Sequence, residues 1–340
     1  MRVKVRERAE DPSWSIIRKL RAASGGWVSG KAMGDGLGVS RAAVWKHIRH
    51  LRSMGYRIEA STRLGYRLLG PEPLHLHIPE DICSRLIQLE SVGSTNEFAR
   101  EIANEAENWT VVIAEVQTAG RGRLGRKWFS PSGGVWMSII LKPRVTPSEA
   151  FRYTMAGSVA VCRALRDLYG LDARTKWPND VLVNGRKICG VLTEISAELD
   201  VINYMIIGIG INANMSASSL PEEWNATTIY EELHREVPRG ELVAKVLEEM
   251  RALLESGDLY HQWVRLSDTL NRRVRVKGFD EVTGIAESLD PDGALVVRKD
   301  DGGIVRILAG DCIHLRPDDG DLRAGSDSQT GKGSTGYAEG

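Results

Sequence analysis

Apolar positions recur along the chain with two different periods, and the change from one to the other divides it. Between Trp14 and Met54 the period is helical: Trp14, Ile16, Ile17 and Leu20 make one face, Ala32, Met33 and Leu37 a second, and Val44, Ile48, Leu51 and Met54 a third. Leu37-Gly38-Val39-Ser40 joins the second to the third; its glycine permits a tight turn and its serine supplies the N-cap of a helix beginning at Arg41. Two short runs, Tyr56–Glu59 and Gly65–Leu68, joined across Ala60–Leu64, predict a two-stranded wing. Farther on, β-branched and apolar runs over Thr110–Val116 and Val135–Leu141 predict buried strands, and Val181–Val183, Asn184-Gly185 and Ile188–Leu192 predict a hairpin. A helical stretch from about Glu241 to Leu270 gives way near Asn271 to five or so short alternating segments separated by Asp-Gly turns, the pattern of a small barrel.

Gly70-Pro71-Glu72-Pro73 reads as a linker, and the Gly- and Ser-rich residues after Pro317 are too poor in apolar side chains to pack. The division expected is therefore a head over 1–70, a linker over 71–77, a central domain over 78–270, a small barrel over 271–317 and a disordered tail over 318–340. With 340 residues, 42% apolar and 26% charged, the chain can bury a core in each of two or three domains. Its four cysteines form no CxxC pair, which argues against a zinc site or a disulfide framework, and no uncharged stretch is long enough to span a bilayer; a cytoplasmic protein with no membrane partner is expected. The net charge of zero hides an asymmetry. Residues 1–70 carry 15 Lys and Arg against 5 Asp and Glu, a balance of +10, so the rest carries −10. On a winged helix-turn-helix this charge points to DNA. Arg41, Trp45, Lys46 and Arg49 fall off the apolar stripe of the third helix, where a recognition helix presents its side chains; Ser40 caps that helix, and Arg63 lies at the wing tip. A helical module that docks a protein partner is the plainer alternative.

The chemistry-bearing stretch is Gln117-Thr118-Ala119-Gly120-Arg121-Gly122-Arg123-Leu124-Gly125-Arg126-Lys127-Trp128. Its glycines resemble a dinucleotide fingerprint only superficially, because no helical pattern follows, and the terminal Gly-Lys-Ser/Thr of a phosphate-binding loop is absent. What remains is a mobile loop with four cations, Arg121, Arg123, Arg126 and Lys127, suited to phosphate oxygens. Lys176-Trp177-Pro178-Asn179-Asp180 and, seven residues on, Lys187 form a second group; a lone lysine is most often solvated, but beside the arginine loop it gains an anion to face. Ser94-Thr95-Asn96 precedes a helix, most simply as an N-cap, and the glycines of Ile207-Gly208-Ile209-Gly210-Ile211-Asn212 leave room above a strand.

Taken in order, Ser94-Thr95-Asn96, the GRGRLGRKW loop, KWPND with Lys187, and the GIGIN strand resemble the biotin protein ligases. With the winged helix, the chain resembles the bifunctional form that is both ligase and biotin operon repressor, over about residues 14–316. The resemblance implies an α+β protein with a winged helix-turn-helix, a central mixed α/β ligase domain and an SH3-like β-barrel. It also implies two half-reactions: biotin and ATP, with Mg²⁺, form biotinyl-5′-AMP, and biotin then passes to a lysine of a biotin carboxyl carrier domain. Carried over, Ser94, Thr95, Asn96, Gln117, Gly120, Arg121, Gly122, Arg123, Lys187 and Gly190 would bind biotin. Arg123, Arg126, Trp128, Lys176, Asn179, Asn212 and Arg316 would bind the nucleotide, and Arg123, Lys187 and Asp180 would carry catalysis, Asp180 by helping the acceptor lysine lose its proton. The arginine loop would order when ligand arrives. Residues 213–236 match the family loosely; Trp224 there is a candidate to cover the adenine, a core tryptophan being the alternative. The resemblance further implies operator DNA as a partner and a homodimer formed on the adenylate. A ligase whose winged helix has no regulatory role, and a related ligase acting on lipoate, are the competing readings.

Overall fold

The computed structural model describes residues 12–23, 25–53, 56–69, 82–198 and 200–315. The linker, Met54, Arg316 and the tail over 318–340 lie outside them, as does the Trp14 side chain.

In the head, α1 (Pro12–Ala22), α2 (Gly30–Asp35) and α3 (Arg41–Ser53) are followed by an antiparallel hairpin of β1 (Ile58–Ser61) and β2 (Gly65–Leu68). The turn between α2 and α3 closes because Gly38 takes a φ of +65°, and a Cβ at Gly34 would collide with the Val39 carbonyl. Ser40 caps α3, its Oγ accepting from the Ala43 amide at 3.1 Å. Ile16, Ile17, Leu20, Met33, Val44, Ile48 and Leu51 form the head's own core with Tyr56 and Ile58. Two expectations are corrected: α2 ends at Asp35 with Ala32 exposed, so that Leu37 packs on the core from the turn and not from the helix, and the first wing strand lies two residues later than its alternation suggested.

The central sheet has seven strands in the order β3-β4-β5-β9-β8-β7-β6. These are β3 (Arg85–Val92), β4 (Thr110–Gln117), β5 (Val135–Leu141), β6 (Ala173–Lys176), β7 (Asp180–Val183), β8 (Arg186–Glu198) and β9 (Val201–Ile211). Only β3 and β4 run parallel. Alternation sorts the side chains between two faces. Val135, Met137, Ile139 and Leu141 of β5 and Met205, Ile207, Ile209 and Ile211 of β9 join the main core, against α5 (Phe151–Tyr169), which in turn packs on α7 (Arg239–Glu255) and α8 (Leu259–Leu266). On the other face, Ile140 and Ile206 lie under α4 (Thr95–Ile102), and Trp136 begins a smaller cluster. Between α5 and α7 in sequence, a five-residue α6 (Ile229–Leu233) follows two short 3-10 turns. The single helix expected over 241–270 is two, because the chain breaks at Ser256-Gly257-Asp258.

The last strands, β10 (Arg273–Lys277), β11 (Glu281–Leu289), β12 (Leu295–Lys299), β13 (Ile304–Ile307) and β14 (Asp311–His314), form an antiparallel sheet in the order β13-β12-β11-β10-β14. Its hydrogen-bonded ladder is open between β13 and β14 among the described residues. Its inward residues, Val274, Val276, Leu295 and Val297 among them, belong to the same core as the central sheet. Trp177 fastens the two: its backbone N–H donates to Thr269 Oγ1 at 3.0 Å and its indole N–H to the Gly293 carbonyl at 2.8 Å.

Candidate active site

The site lies on the face of the central sheet opposite α5. Three glycines, Gly190 on β8 and Gly208 and Gly210 on β9, lower that face. A Cβ at Gly208 would overlap Asn96 Oδ1, and one at Gly210 would overlap the Trp128 indole nitrogen. The room above the strand is thus taken by an amide and an indole that the sequence placed elsewhere in the chain.

Residues 117–130 leave β4 as a narrow antiparallel excursion. Gln117 N–H donates to the Ser130 carbonyl (3.0 Å), Trp128 N–H to that of Gly120 (2.8 Å) and Gly122 N–H to that of Arg126 (2.7 Å). At its tip Arg123–Gly125 make one 3-10 turn, with Leu124 at φ +56°. No helix follows, as the sequence indicated. Gly120 is buried beneath this excursion, where a Cβ would overlap the Trp128 carbonyl, and it does not line the cavity; Gly122 does.

The cavity, about 780 Å³, is lined by the loop, by Ser94, Thr95, Asn96 and Gln117, by Lys176–Asp180, by Lys187 and Gly190, and by Asp311 to Ile313 of the last strand. Two cations enter it, one from the loop and one from β8, and meet consecutive residues. Arg123 Nη1 donates to Asn179 Oδ1 at 3.1 Å and to the Gly310 carbonyl at 3.2 Å, while Lys187 Nζ lies 2.6 Å from Asp180 Oδ1 and 5.1 Å from the Trp128 ring centroid. Burial holds the Arg123 pKa below an arginine's ordinary value; Asp180 opposes that shift and Arg126 adds to it. An arginine so shifted still carries its charge at neutral pH. The remaining loop arginines are paired, Arg121 with Glu97 of α4 and Arg126 with Asp311, while Lys127 is exposed.

Trp128 stacks on Trp224, centroids 6.1 Å apart and planes 22° apart, and its buried indole N–H has no hydrogen-bond partner among the described residues. Trp224 therefore stands in the cleft rather than in the core. Asn212 is buried in the cleft wall, its amide donating to the Thr227 carbonyl at 3.1 Å. Ser94 precedes α4 but makes no side-chain capping bond, and it is buried in the wall of the cavity. Thr95 and Gln117 bond to one another, Gln117 Oε1 accepting from the Thr95 amide at 2.8 Å and lying 3.0 Å from its hydroxyl.

Sequence reasoning missed Ser130, Ser138, Glu194 and Asp311. Ser138 did carry a signal, a hydroxyl in the middle of an otherwise apolar run, and it is fully buried beside Thr95 and Asn96. Glu194, which accepts from Asn96 and pairs with Arg100, sits in an ordinary alternating strand and carried none. In the head, Arg41, Trp45, Lys46 and Arg49 are exposed along α3, with the Arg49 guanidinium 4.9 Å over the Trp45 ring. Arg63 is exposed in the turn of the wing.

Residues 89–212 match the model of the Biotin/lipoate A/B protein ligase family, residues 15–67 that of an HTH domain, and residues 269–315 that of the Biotin protein ligase C terminal domain. The chain is 38% identical over 243 residues to the bifunctional ligase/repressor BirA of Bacillus subtilis, covering 68% of this chain and 75% of that protein. It is 33% identical over 310 residues to the bifunctional ligase/repressor BirA of Escherichia coli, covering 86% and 94%. Among solved structures, a biotin protein ligase from Aquifex aeolicus in complex with biotin and ATP superposes with a TM-score of 0.59 at 32% identity, covering 68% of this chain and 99% of that one.

Proposed function

Because this chain belongs to the family of the bifunctional biotin ligase/repressors, we propose that its cleft joins biotin to AMP and then to a carrier lysine, and that its head brings the same molecule to DNA. It is an ATP-dependent, AMP-forming biotin–protein ligase and a transcriptional repressor, at work in the cytoplasm. The acceptor is a biotin carboxyl carrier domain.

One observation carries the residue assignment: Arg123 and Lys187, from a loop and from β8, converge on Asn179 and Asp180. Biotin's carboxylate and ATP's triphosphate repel each other, and two cations between them remove that repulsion. A carboxylate oxygen attacks the α-phosphorus, the bond to pyrophosphate breaks, and a mixed anhydride remains. Lys187 and Arg123 exchange their protein acceptors for the charge that builds on the α-phosphate. Ser94, Thr95, Asn96 and Gln117 hold the ureido ring, with Arg121, Gly122 and Gly190 around it. Trp128, Lys176, Asn179, Arg126 and Asn212 border the nucleotide, covered by Trp224. In the second step the acceptor amine attacks the acyl carbon and AMP leaves; Asp180, released from Lys187, takes the amine's proton. The loop tightens on ligand, which keeps water from the anhydride.

Among the described residues no three metal-ligating side chains converge. Mg²⁺ would be supplied with the triphosphate, where it would help Arg123 and Lys187 offset the phosphate charge.

For the head, Arg41, Trp45, Lys46, Arg49, Ser40 and Arg63 face operator DNA, and the adenylate-bound protein dimerises to match a two-fold site. Exchange of labelled pyrophosphate into ATP, run with biotin and with lipoate, tests the ligase: exchange with biotin alone supports it, and exchange only with lipoate overturns the substrate. A footprint on DNA from its own genome, with and without biotin plus ATP, tests regulation; protection indifferent to both would leave the head without a regulatory role.

A further inference from the structure

The hydroxyls and amides under the ureido pocket form a chain whose hydrogen-bond direction is fixed at both ends. At one end Asn96 faces the Glu194 carboxylate at 2.6 Å. A carboxylate only accepts, so the facing atom is the Asn96 N–H, and its carbonyl oxygen points to Ser138. Ser138 Oγ lies 2.6 Å from that oxygen and 2.7 Å from Thr95 Oγ1. An amide oxygen cannot donate, so the single Ser138 proton goes to Asn96, and toward Thr95 the serine is an acceptor. At the other end Ser130 donates to the Trp128 carbonyl at 3.0 Å and therefore accepts the Gln117 amide N–H at 2.9 Å, which turns Gln117 Oε1 toward Thr95. Thr95 thus has two acceptors behind it, Ser138 Oγ and Gln117 Oε1, for one hydroxyl proton.

We propose that this relay makes Thr95 an acceptor-only group toward the cleft, and that Glu194, touching no substrate, is the positioning residue that sets its polarity. The inference rests on the biotin reading above and deepens it. A pocket that offers only a lone pair at Thr95 selects a ligand with an N–H there. Biotin's cyclic urea supplies one; the dithiolane of lipoate does not, so the relay is a physical reason for the pocket to prefer biotin. Arg100 pairs with Glu194 and holds it in place.

Swapping the charge across the Asn96–Glu194 contact tests the relay. Asn96→Asp sets two carboxylates face to face and should raise the biotin KM in pyrophosphate exchange about tenfold or more, while the ATP KM moves less than about twofold. Asn96→Asp combined with Glu194→Gln restores the direction, since the new amide donates to the new carboxylate and Ser138 still donates inward; biotin KM should return to within about threefold of the starting protein. A double variant no better than Asn96→Asp overturns the relay. Glu194→Leu, at a half-buried position, is the variant to use if Asn96→Asp does not fold. Its biotin KM should rise about fivefold at an unchanged ATP KM, and an unchanged biotin KM would likewise overturn the relay. Failure of the unaltered protein to bind biotin is a separate result; it removes the substrate assignment and the relay's ligand with it.

Discussion

The Arg123 guanidinium donates to Asn179 Oδ1 and to the Gly310 carbonyl, two acceptors from outside its own loop. On the proposed assignment, replacing it removes charged hydrogen bonds to the adenylate without touching the sheet beneath. Arg123→Gly should release the intermediate on the order of 30-fold faster, so that it labels lysines in bystander proteins; retention equal to that of the unaltered chain would contradict the assignment. Asp180 can be separated from Arg123 by the half-reaction it serves. With preformed adenylate supplied, Asp180→Asn should slow transfer to the acceptor about 100-fold, and an unchanged transfer rate would remove it as the base. The two residues also differ in how they could be read. Arg123 announces itself through spacing among glycines, whereas the partner that occupies Asp180, the Lys187 ammonium, needed the β7–β8 hairpin to bring it round.

At the scale of elements, the strand β14 carries a proton-sensitive joint. His314 lies between Thr269, whose Oγ1 is 3.1 Å from its Nε2, and Asp268, whose carboxylate is 3.6 Å from its Nδ1. Burial, then the nearby Lys176, pushes its pKa down to about 4 against the opposing pull of Asp268. In the unfolded chain the same imidazole binds its proton near its ordinary value, so the unfolded state takes up more protons between the two. Stability is therefore full above about pH 6.5 and falls through the window down to about pH 4, by about 2–3 kcal/mol. Urea unfolding at pH 7 and pH 4.5 should show that loss, and His314→Gln should flatten it; an equal slope in both proteins would exclude this histidine. Much at this scale was legible in the sequence. Asn184-Gly185, with φ values of +51° and +72°, makes the two-residue hairpin its dipeptide promised, and Thr110–Gln117 and Val135–Leu141 are strands because β-branched runs of that length have few other uses. Less legible was anything depending on a partner far along the chain. Glu194 gains its meaning only from a helix 98 residues earlier in the sequence, and the Trp of KWPND braces the C-terminal sheet as well as lining the cavity, a contact no local pattern announced. Periodicity also could not tell one long helix from α7 and α8, since both bury a stripe against α5.

For the molecule as a whole, charge and core follow the same division. The +10 balance of residues 1–70 goes with a head whose nine buried apolar side chains form a cluster of their own, while the remainder, at −10, contains the cleft that Arg123 and Lys187 line. The proposed regulation has to pass from a pocket on the sheet to a head with a core of its own, and dimer formation would supply the link. The C-terminal sheet is the opposite case, because its inward valines and leucines belong to the core that also contains α5, α7 and α8. Differential scanning calorimetry should accordingly resolve two endotherms, a small one for the reader and a large one for everything from residue 82 onward. Deletion of the first 81 codons should yield a free-standing enzyme that still melts in one step, whereas a stop codon at 271 should yield inclusion bodies; a soluble, active product from that shorter gene would mean the two sheets are separable appliances rather than one.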